Sequence, residues 1–378
     1  MKKIFLTAIA ALMILFVSCE DTFEAYGSGR VDSESETQTD TTEDTETDTT
    51  IVVPPPEDPD PPVTDPYDVT NFRCLKTLTG HYEGVSSVCW SPDGNYLASG
   101  SFDNTVVIWD ANSGQKIRTL TGHSSYITSV SWSPDGRYLA SGSWTGTSTS
   151  NPGELFIWDA NSGQKIRTLE GHSKSITSLS WSPDSRYLAS VSAERNIILW
   201  DPDSGQKVRT LIGNSDFVFS ISWSPDGRYL ASGGVRHIGD SSVGEFAIWD
   251  ANNFQILRTI EHGSNAVQSV NWSPDGEYLA IAQGYTTFFI FNANTGQRIQ
   301  YLAGDCFSVF YLSWNPGRYL ASCDDYLSNI RIWNVDNGQE LKTLEGHSHI
   351  VQSLSWSPDG KYLASGSEDK TIKIWGVE

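Results

Sequence analysis

Residues 78–120 read LTGHYEGVSSVCWSPDGNYLASGSFDNTVVIWDANSGQKIRTL, and near copies of this stretch follow it along the chain. The aromatic residue that closes the third apolar segment of each copy marks the period. It lies at Trp109, Trp158, Trp200, Trp249, Phe291, Trp333 and Trp375, at intervals of 49, 42, 49, 42, 42 and 42 residues. The repeat is therefore 42 residues long, with seven extra residues in the second and fourth copies. A fixed period of this length predicts a repeat architecture.

Each copy contains four short segments rich in β-branched and aromatic residues, which favour strands. The segments of the first copy are residues 85–90 (strand a), 96–101 (strand b), 105–110 (strand c) and 116–120 (strand d). The SPDG sequence between strands a and b predicts a turn, because Pro92 presets φ and Gly94 supplies a positive φ. Strand c is apolar on consecutive residues, which indicates a sheet covered on both faces. These features predict an all-β ring of seven four-stranded sheets.

The two ends of the repeat region complement each other. The last copy ends after its strand c, at Trp375, whereas residues 74–78 read CLKTL and match strand d of the other copies. We therefore expect this N-terminal strand to complete the last sheet, since the pairing removes an exposed edge.

The combination of GH, WSPDG, LASGS and WD in the copies resembles the WD40 repeat. The resemblance covers about four fifths of the chain and implies a seven-bladed WD40 β-propeller over residues 69–378. It also implies that His, Ser, Asp and Trp side chains form a structural hydrogen-bond relay between strand c and the turn before strand a. The residues assigned to this relay are His81, Ser99, Asp103, Trp109, His123, Trp158, His172, Trp200, His347, Asp369 and Trp375.

Ser, His and Asp are also the residues of a catalytic triad. An active site is not expected to be copied around a ring, so the relay is the preferred interpretation, and we predict no catalytic residue, metal site or cofactor. The middle copies depart from the set, with Asn214 and Asp305 in place of His and Phe291 in place of Trp. Two explanations stay open: drift in a tolerant repeat, or a binding surface shaped by blades 4 to 6.

Residues 1–18 have the order of a secretory signal, with Lys2 and Lys3 before an apolar run. The run covers residues 4–17, which is shorter than the about 20 residues of a membrane-spanning helix. The FVSC sequence that ends it resembles the lipobox of bacterial lipoproteins, which implies lipidation of Cys19. An ordinary cleaved signal is the alternative. The expected location is the bacterial cell envelope, with the chain lipid-anchored to the outer membrane, on its surface or periplasmic side.

Residues 19–68 join the anchor to the repeats and are predicted to form a disordered, extended spacer, since they are acidic and rich in Thr and Pro. Between Glu20 and Asp68 the chain has 16 acidic residues and one Arg, so most of the net charge of −21 lies outside the repeats. The basic surface that a nucleic-acid-binding protein needs is not visible, and we predict no nucleic-acid partner.

Two insertions, near residues 144–153 and 235–244, lie between strands b and c. The resemblance places this loop on the face that WD40 proteins use most often for partners. Trp144 begins the first insertion, and an exposed aromatic side chain is a favoured binding anchor. Aromatic residues also occur before and within strand a, at positions that vary among the copies although the repeated motifs do not. The candidate partner-binding residues are Trp144, Tyr126, Phe217, Phe219, Phe310, Phe102 and Tyr326.

The predicted function is that of a membrane-anchored, envelope-exposed scaffold that binds an unidentified protein, as a monomeric ring that meets the membrane only through its lipid. The alternative is a cell-surface carbohydrate-binding lipoprotein, in which the same aromatic side chains stack on the sugar rings of a glycan. These residues suit either ligand, and the sequence does not separate the two.

Overall fold

A computed structural model describes residues 68–144, 152–213, 215–239, 241–284, 287–303, 309–324 and 328–377. In these ranges the backbone forms 28 strands, arranged as seven antiparallel four-stranded sheets. The predicted signal peptide, Cys19 and all of the predicted linker except Asp68 lie outside the described residues and stay predictions. Within the described part of the chain, no helix is long and apolar enough to cross a membrane.

The strands of the first four blades follow one another along the chain. Blade 1 contains β2 (Val85–Trp90), β3 (Tyr96–Ser101), β4 (Val106–Asp110) and β5 (Lys116–Leu120). Blade 2 contains β6 (Ile127–Trp132), β7 (Tyr138–Ser143), β8 (Leu155–Asp159) and β9 (Lys165–Thr168). Blade 3 contains β10 (Ile176–Trp181), β11 (Leu188–Ser192), β12 (Asn196–Trp200) and β13 (Lys207–Ile212). Blade 4 contains β14 (Phe217–Trp223), β15 (Tyr229–Ile238), β16 (Ser241–Asp250) and β17 (Ile256–Glu261).

The last three blades include the one that joins both ends of the repeat region. Blade 5 contains β18 (Val267–Trp272), β19 (Tyr278–Gln283), β20 (Thr287–Asn292) and β21 (Arg298–Ala303). Blade 6 contains β22 (Val309–Trp314), β23 (Tyr319–Asp324), β24 (Ile330–Asn334) and β25 (Glu340–Leu344). Blade 7 contains β26 (Val351–Trp356), β27 (Tyr362–Ser367), β28 (Thr371–Gly376) and β1 (Arg73–Thr79).

The first strand of each blade contacts the first strand of the next, and β26 of blade 7 contacts β2 of blade 1. The sheets therefore close into a ring, and the prediction of a seven-bladed all-β propeller is confirmed. The ring has two faces. We call the face that carries the connections before strand a and between strands b and c the loop face. The opposite face, which carries the a–b and c–d turns, is the turn face.

Strand β1 closes the ring as the sequence predicted. It pairs antiparallel with β28, and the register places Cys74 opposite Trp375 and Leu78 opposite Ile372. Leu78 is 4% exposed and packs in a cluster that contains Trp109 of blade 1 and Ile372 of blade 7. One side chain therefore joins the first and last blades.

The seams between blades explain two small-residue patterns of the repeat. At the LASGS glycine, a Cβ on Gly100 would lie 2.4 Å from Ile127 Cγ2 of the next blade, so no side chain fits there. The serines of strand a bind across the seams: Ser87 Oγ accepts the Val130 amide at 3.0 Å, and Ser353 Oγ accepts the Val88 amide at 3.0 Å. The seam thus combines close backbone packing with hydrogen bonds that recur at several seams.

The second insertion is a continuation of the sheet. Strands β15 and β16 are ten residues each, and their pairing continues to Ile238 opposite Ser241. This hairpin extends blade 4 on the loop face. Residues 145–151 of the first insertion lie outside the described residues.

The closure makes a specific stability prediction. We expect Leu78→Ala to lower the free energy of unfolding by about 2–5 kcal/mol, as buried Leu→Ala changes do, because it leaves a cavity between blades 1 and 7. The measurement is urea unfolding followed by tryptophan fluorescence. The matched control is Leu257→Ala, since Leu257 lies on the outer strand of blade 4 and is 54% exposed. Equal losses from the two variants would show that Leu78 does not stabilise the closure.

Candidate functional site

The relay residues of blade 1 form a continuous chain of hydrogen bonds. His81 Nδ1 lies 2.9 Å from Asp103 Oδ2, and His81 Nε2 lies 2.7 Å from Ser99 Oγ. Because a carboxylate only accepts, Nδ1 donates and Nε2 accepts the Ser99 hydroxyl proton. Ser99 Oγ in turn accepts the indole N–H of Trp109 at 2.8 Å. These hydrogen bonds link strand c to the loop before strand a.

Blade 7 repeats this geometry. His347 Nδ1 lies 2.7 Å from Asp369 Oδ2, and its Nε2 lies 2.7 Å from Ser365 Oγ, which accepts the Trp375 indole N–H at 2.8 Å. Thr371 adds a hydroxyl that donates to Asp369 at 2.6 Å. The carboxylate therefore also fixes the turn between strands b and c.

In blades 2 and 3 the structure shows an acidic partner that the sequence analysis missed. His123 Nδ1 lies 3.1 Å from Glu154 Oε2, and His172 Nδ1 lies 2.6 Å from Glu194 Oε1. The remaining contacts match blade 1: Nε2 of each His meets Ser141 or Ser190, and each serine accepts Trp158 or Trp200. A carboxylate after strand b was the available signal, but both residues are Glu where blade 1 has Asp103, and Glu154 also lies farther from its histidine.

Blades 4 and 5 keep parts of the relay with other side chains. In blade 4, Ser215 donates to the buried Glu245 at 2.9 Å, and Arg236 forms an ion pair with the same carboxylate at 3.2 Å. In blade 5, His262 Nδ1 lies 2.7 Å from Gln283 Oε1. The departures of these copies are therefore accompanied by new contacts.

Burial and hydrogen bonding compete at the relay carboxylates. Burial by itself would raise the pKa of Asp103, but hydrogen bonds from His81, Thr105 and the Tyr82 amide outweigh it and hold that pKa well below its usual range. The same balance lowers the pKa of Asp369 in blade 7. At neutral pH both groups are carboxylates, which fixes the direction of the hydrogen bonds.

The Ser–His–Asp geometry resembles a catalytic triad, but its serine is not accessible to a substrate. Ser99 is fully buried, and its oxygen already accepts the Trp109 indole N–H. A nucleophilic serine needs an open side for the substrate. The arrangement of these residues suits a structural bond and leaves no space for a reacting carbonyl.

On the loop face, the structure brings three candidate partner-binding residues together at blades 1 and 2. The rings of Phe102 and Tyr126 meet edge-on, with their centroids 5.6 Å apart. The Trp144 amide donates to the Tyr126 carbonyl at 2.8 Å. Tyr126 is 40% exposed, whereas Trp144 and Phe102 are half-buried. Trp144 thus lies partly packed where its loop begins, and Tyr126 is the more open ring.

The sequence analysis missed Tyr82, which is 82% exposed. It follows the relay histidine of blade 1, where blades 2, 3 and 7 have serine. The Lys370 ammonium of blade 7 donates to its carbonyl at 2.6 Å, which ties this loop to the neighbouring blade. A departure from the repeat at a loop position was the signal that could have found it.

The remaining candidates lie apart from this group. Phe217 of blade 4 contacts the ring of His237 at 5.8 Å, with Lys174 Nζ 5.9 Å from its centroid. Phe219 is half-buried in strand β14. Tyr326 and the side chain of Phe310 lie outside the described residues, so their placement stays a prediction.

The comparison with family models agrees with this architecture. The model described as "WD domain, G-beta repeat" matches residues 72–110, 114–148, 163–201, 205–243, 254–289 and 338–376, which together are more than half of the chain. The chain belongs to the WD40 family. The matched segments contain the relay residues of blades 1, 3 and 7, so these hydrogen-bond chains belong to the frame of this WD40 protein.

Relatives with curated names match shorter stretches. A component of chromatin assembly factor 1 from Gallus gallus is 54% identical over 46 residues, which is 12% of this chain and 8% of the relative. Protein Mut11 of Chlamydomonas reinhardtii is 47% identical over 55 residues, 15% of each chain. Protein HIRA of Dictyostelium discoideum is 47% identical over 45 residues, 12% of this chain and 4% of the relative. The matched segments therefore span a small part of these relatives.

These relatives correct one expectation. They are eukaryotic proteins, and the first is named for chromatin assembly. By this comparison, the prediction of a location in the bacterial cell envelope is wrong. It was based on the resemblance of residues 1–19 to a lipoprotein signal, and those residues lie outside the described part of the chain.

The relay also predicts how stability depends on pH. Burial lowers the pKa of His123 to about 4, although the Glu154 carboxylate acts in the opposite direction. In the unfolded chain the pKa of His is about 6.5, so the folded state binds fewer protons. The contribution of neutral His123 to the free energy of unfolding is thus fully present above pH 6.5. It is lost as the pH falls towards 4, by up to about 3 kcal/mol.

We therefore expect the stability difference between the wild type and His123→Asn to shrink as the pH falls from 7 to 4.5, as measured by urea unfolding. The control is His349→Asn, because His349 is exposed and its replacement should leave the pH profile unchanged. Parallel profiles for the wild type and His123→Asn would contradict the assignment.

Proposed function

We propose that this chain is a protein-interaction scaffold that binds its partner on the loop face at blades 1 and 2. The observation that supports this most directly is the group formed by Phe102, Tyr126 and Trp144, which we call the aromatic group. It lies on the face of the ring where the first insertion begins. Tyr82, the most exposed of the large apolar side chains in the described ranges, lies on the same face of blade 1.

Aromatic side chains suit this role because they bury a large area and lose little conformational entropy on binding. The frame holds them rigidly. The Phe102 amide donates to the Gly84 carbonyl at 2.9 Å, and the Trp144 amide donates to the Tyr126 carbonyl. A partner would therefore meet a surface that is already ordered, which reduces the entropic cost of association.

The relay makes a catalytic role for its serines unfavourable, since they are buried and bonded. We propose a binding function without catalysis. From the named relatives we infer only that the ligand of this chain is a protein. The matched segments of 46 and 45 residues are about one repeat long, and one repeat specifies the frame of a blade more than the surface of a ring.

The test is affinity capture with the full chain as bait, read by mass spectrometry. We expect a protein that the wild type recovers and the Phe102→Ala, Tyr126→Ala double variant loses, because hot-spot aromatic residues typically contribute at least about 2 kcal/mol each. The matched control is Tyr301→Ala, since Tyr301 is 53% exposed but lies on the outer strand of blade 5.

Recovery of the same proteins by all three baits would exclude the aromatic group as the site. Recovery of no protein, together with binding of the wild type on a glycan array that the double variant loses, would favour a carbohydrate ligand instead.

A further inference from the structure

On the turn face, three of the seams between blades are closed by a ring pair. The tyrosine that begins strand b stacks on the tryptophan that ends strand a of the next blade. The centroid distances are 6.2 Å for Tyr138 and Trp181, 6.0 Å for Tyr229 and Trp272, and 6.2 Å for Tyr362 and Trp90, with interplanar angles of 17°, 17° and 23°. The residue before the tyrosine assists: Arg137 lies over Tyr138 at 4.7 Å.

The seam between blades 1 and 2 departs from this pattern. Tyr96 is 38% exposed, and within residues 68–144 no ring contact joins it to Trp132. Asn95 stands where blades 2, 3 and 4 have arginine, and its side chain donates to Asp93 at 2.8 Å. A cavity of about 400 Å³ opens here, lined by Tyr96, Trp132, Arg118 and the turns on either side. We call it the blade 1–2 cavity.

The tryptophan of this seam also lacks the hydrogen bond of its equivalents. The indole N–H donates to a backbone carbonyl of the preceding blade, at 3.0–3.2 Å, in the case of Trp90, Trp181, Trp272, Trp314 and Trp356. Trp132 is 8% exposed, and in the described part of the chain its Nε1 has no acceptor. The seam is thus incomplete both in ring packing and in hydrogen bonding.

The seam between blades 3 and 4 shows what completes such a site. Its tryptophan, Trp223, also lacks an acceptor among the described residues, and Tyr187 points to another ring. That ring is Phe254, which meets Tyr187 edge-on at 6.4 Å and lies 5.3 Å below the Arg209 guanidinium. Tyr187 and Arg209 are the equivalents of Tyr96 and Arg118. Phe254 therefore packs on the counterparts of two residues that line the blade 1–2 cavity.

In blade 2 the position equivalent to Phe254 is Gly163, which has no side chain. Both residues have a left-handed backbone, with φ of 59° and 71°. The two turns thus share a backbone conformation, and of the two only the turn of blade 4 places a ring against the tyrosine and the arginine of the preceding blade.

We propose that the blade 1–2 cavity binds an aromatic side chain of a partner peptide, between Tyr96 and Arg118, in the place that Phe254 takes in the seam between blades 3 and 4. Arg118 supplies a cation over the ring, as Arg209 does over Phe254. This site lies on the face opposite the aromatic group and is independent of the proposed function.

The test labels the full chain with 5-fluorotryptophan and follows the Trp132 resonance by fluorine NMR, assigned from Trp132→Phe. The probes are the blocked tripeptides Ser-Phe-Ser and Ser-Ala-Ser. We expect the phenylalanine peptide to shift the Trp132 resonance saturably and the alanine peptide to leave it unchanged.

Two variants change the site in different ways. Gly163→Phe supplies the ring from within the chain, although Arg118 must shift, since a Cβ on Gly163 would lie 2.2 Å from its Cδ. Arg118→Gln removes the cation that would lie over the bound ring. We expect each to weaken binding of the phenylalanine peptide at least about tenfold, or about 1.4 kcal/mol. Arg118→Gln keeps the test decisive if Gly163→Phe does not fold.

The reverse variant, Phe254→Gly, opens the seam between blades 3 and 4. We expect it to add a second saturable shift, of the Trp223 resonance. Tyr126→Ala, on the opposite face, should change nothing, which separates this proposal from the loop-face scaffold. The proposal is overturned if the Trp132 resonance does not respond to the phenylalanine peptide, responds equally to both peptides, or responds equally in Arg118→Gln.

Discussion

The close approach of neighbouring blades is the constraint on which the rest of this structure depends. A Cβ on Gly100 or Gly142 would lie 2.4 Å from an isoleucine of the next blade, so strand b of blades 1 and 2 must have no side chain at this position. At this separation the strand-a serines can accept amides across the seam. Seven equal seams close a ring only if the last blade is complete, which is why β1 must cross to β28. This pairing joins segments almost 300 residues apart, so its closure entropy is offset by contacts along the whole ring.

The seams are equal in backbone and unequal in side chains. In blades 1 to 3, a hydroxyl near the start of strand a donates to a carbonyl of the next blade: Ser86 to Ile127 at 2.6 Å, and Thr128 to Ile176 at 2.7 Å. Blade 4 has Phe219 at the equivalent position, and a phenyl ring cannot donate such a bond. Hydroxyl bonds of this kind therefore join blades 1 to 3 to their neighbours, on the side where the aromatic group lies. A binding surface benefits from a rigid support, because less conformational freedom is lost when the partner docks.

The fold was predictable because period, turn residues and strand pairing all repeat with the sequence, and the closure followed from one unmatched strand. The acids of the relay were predictable only where both the spacing and the residue type were constant, and Glu194 keeps the spacing of Asp103 but not its type. The acid of blade 1 lies 22 residues after its histidine, whereas Glu154 lies 31 residues after His123, because the insertion separates them. Contacts between different copies were harder to predict from the sequence. Whether Tyr126 contacts Phe102 depends on how two blades pack, and the repeat pattern does not predict the distance between the two rings.

Phe254 shows how a departure from a repeat should be interpreted. A residue with a side chain in the left-handed region costs about 1–2 kcal/mol, which glycine avoids, and the equivalent turns of blades 1, 2, 3, 5 and 6 have glycine. Taken alone, Phe254 is an unfavourable substitution. Beside Tyr187 and Arg209 it buries an aromatic ring, which offsets the backbone cost. A residue that departs from the repeat should therefore be interpreted by its contacts with the adjacent blade. Gly163 fits its own turn better than Phe254 does, yet it leaves the neighbouring seam open.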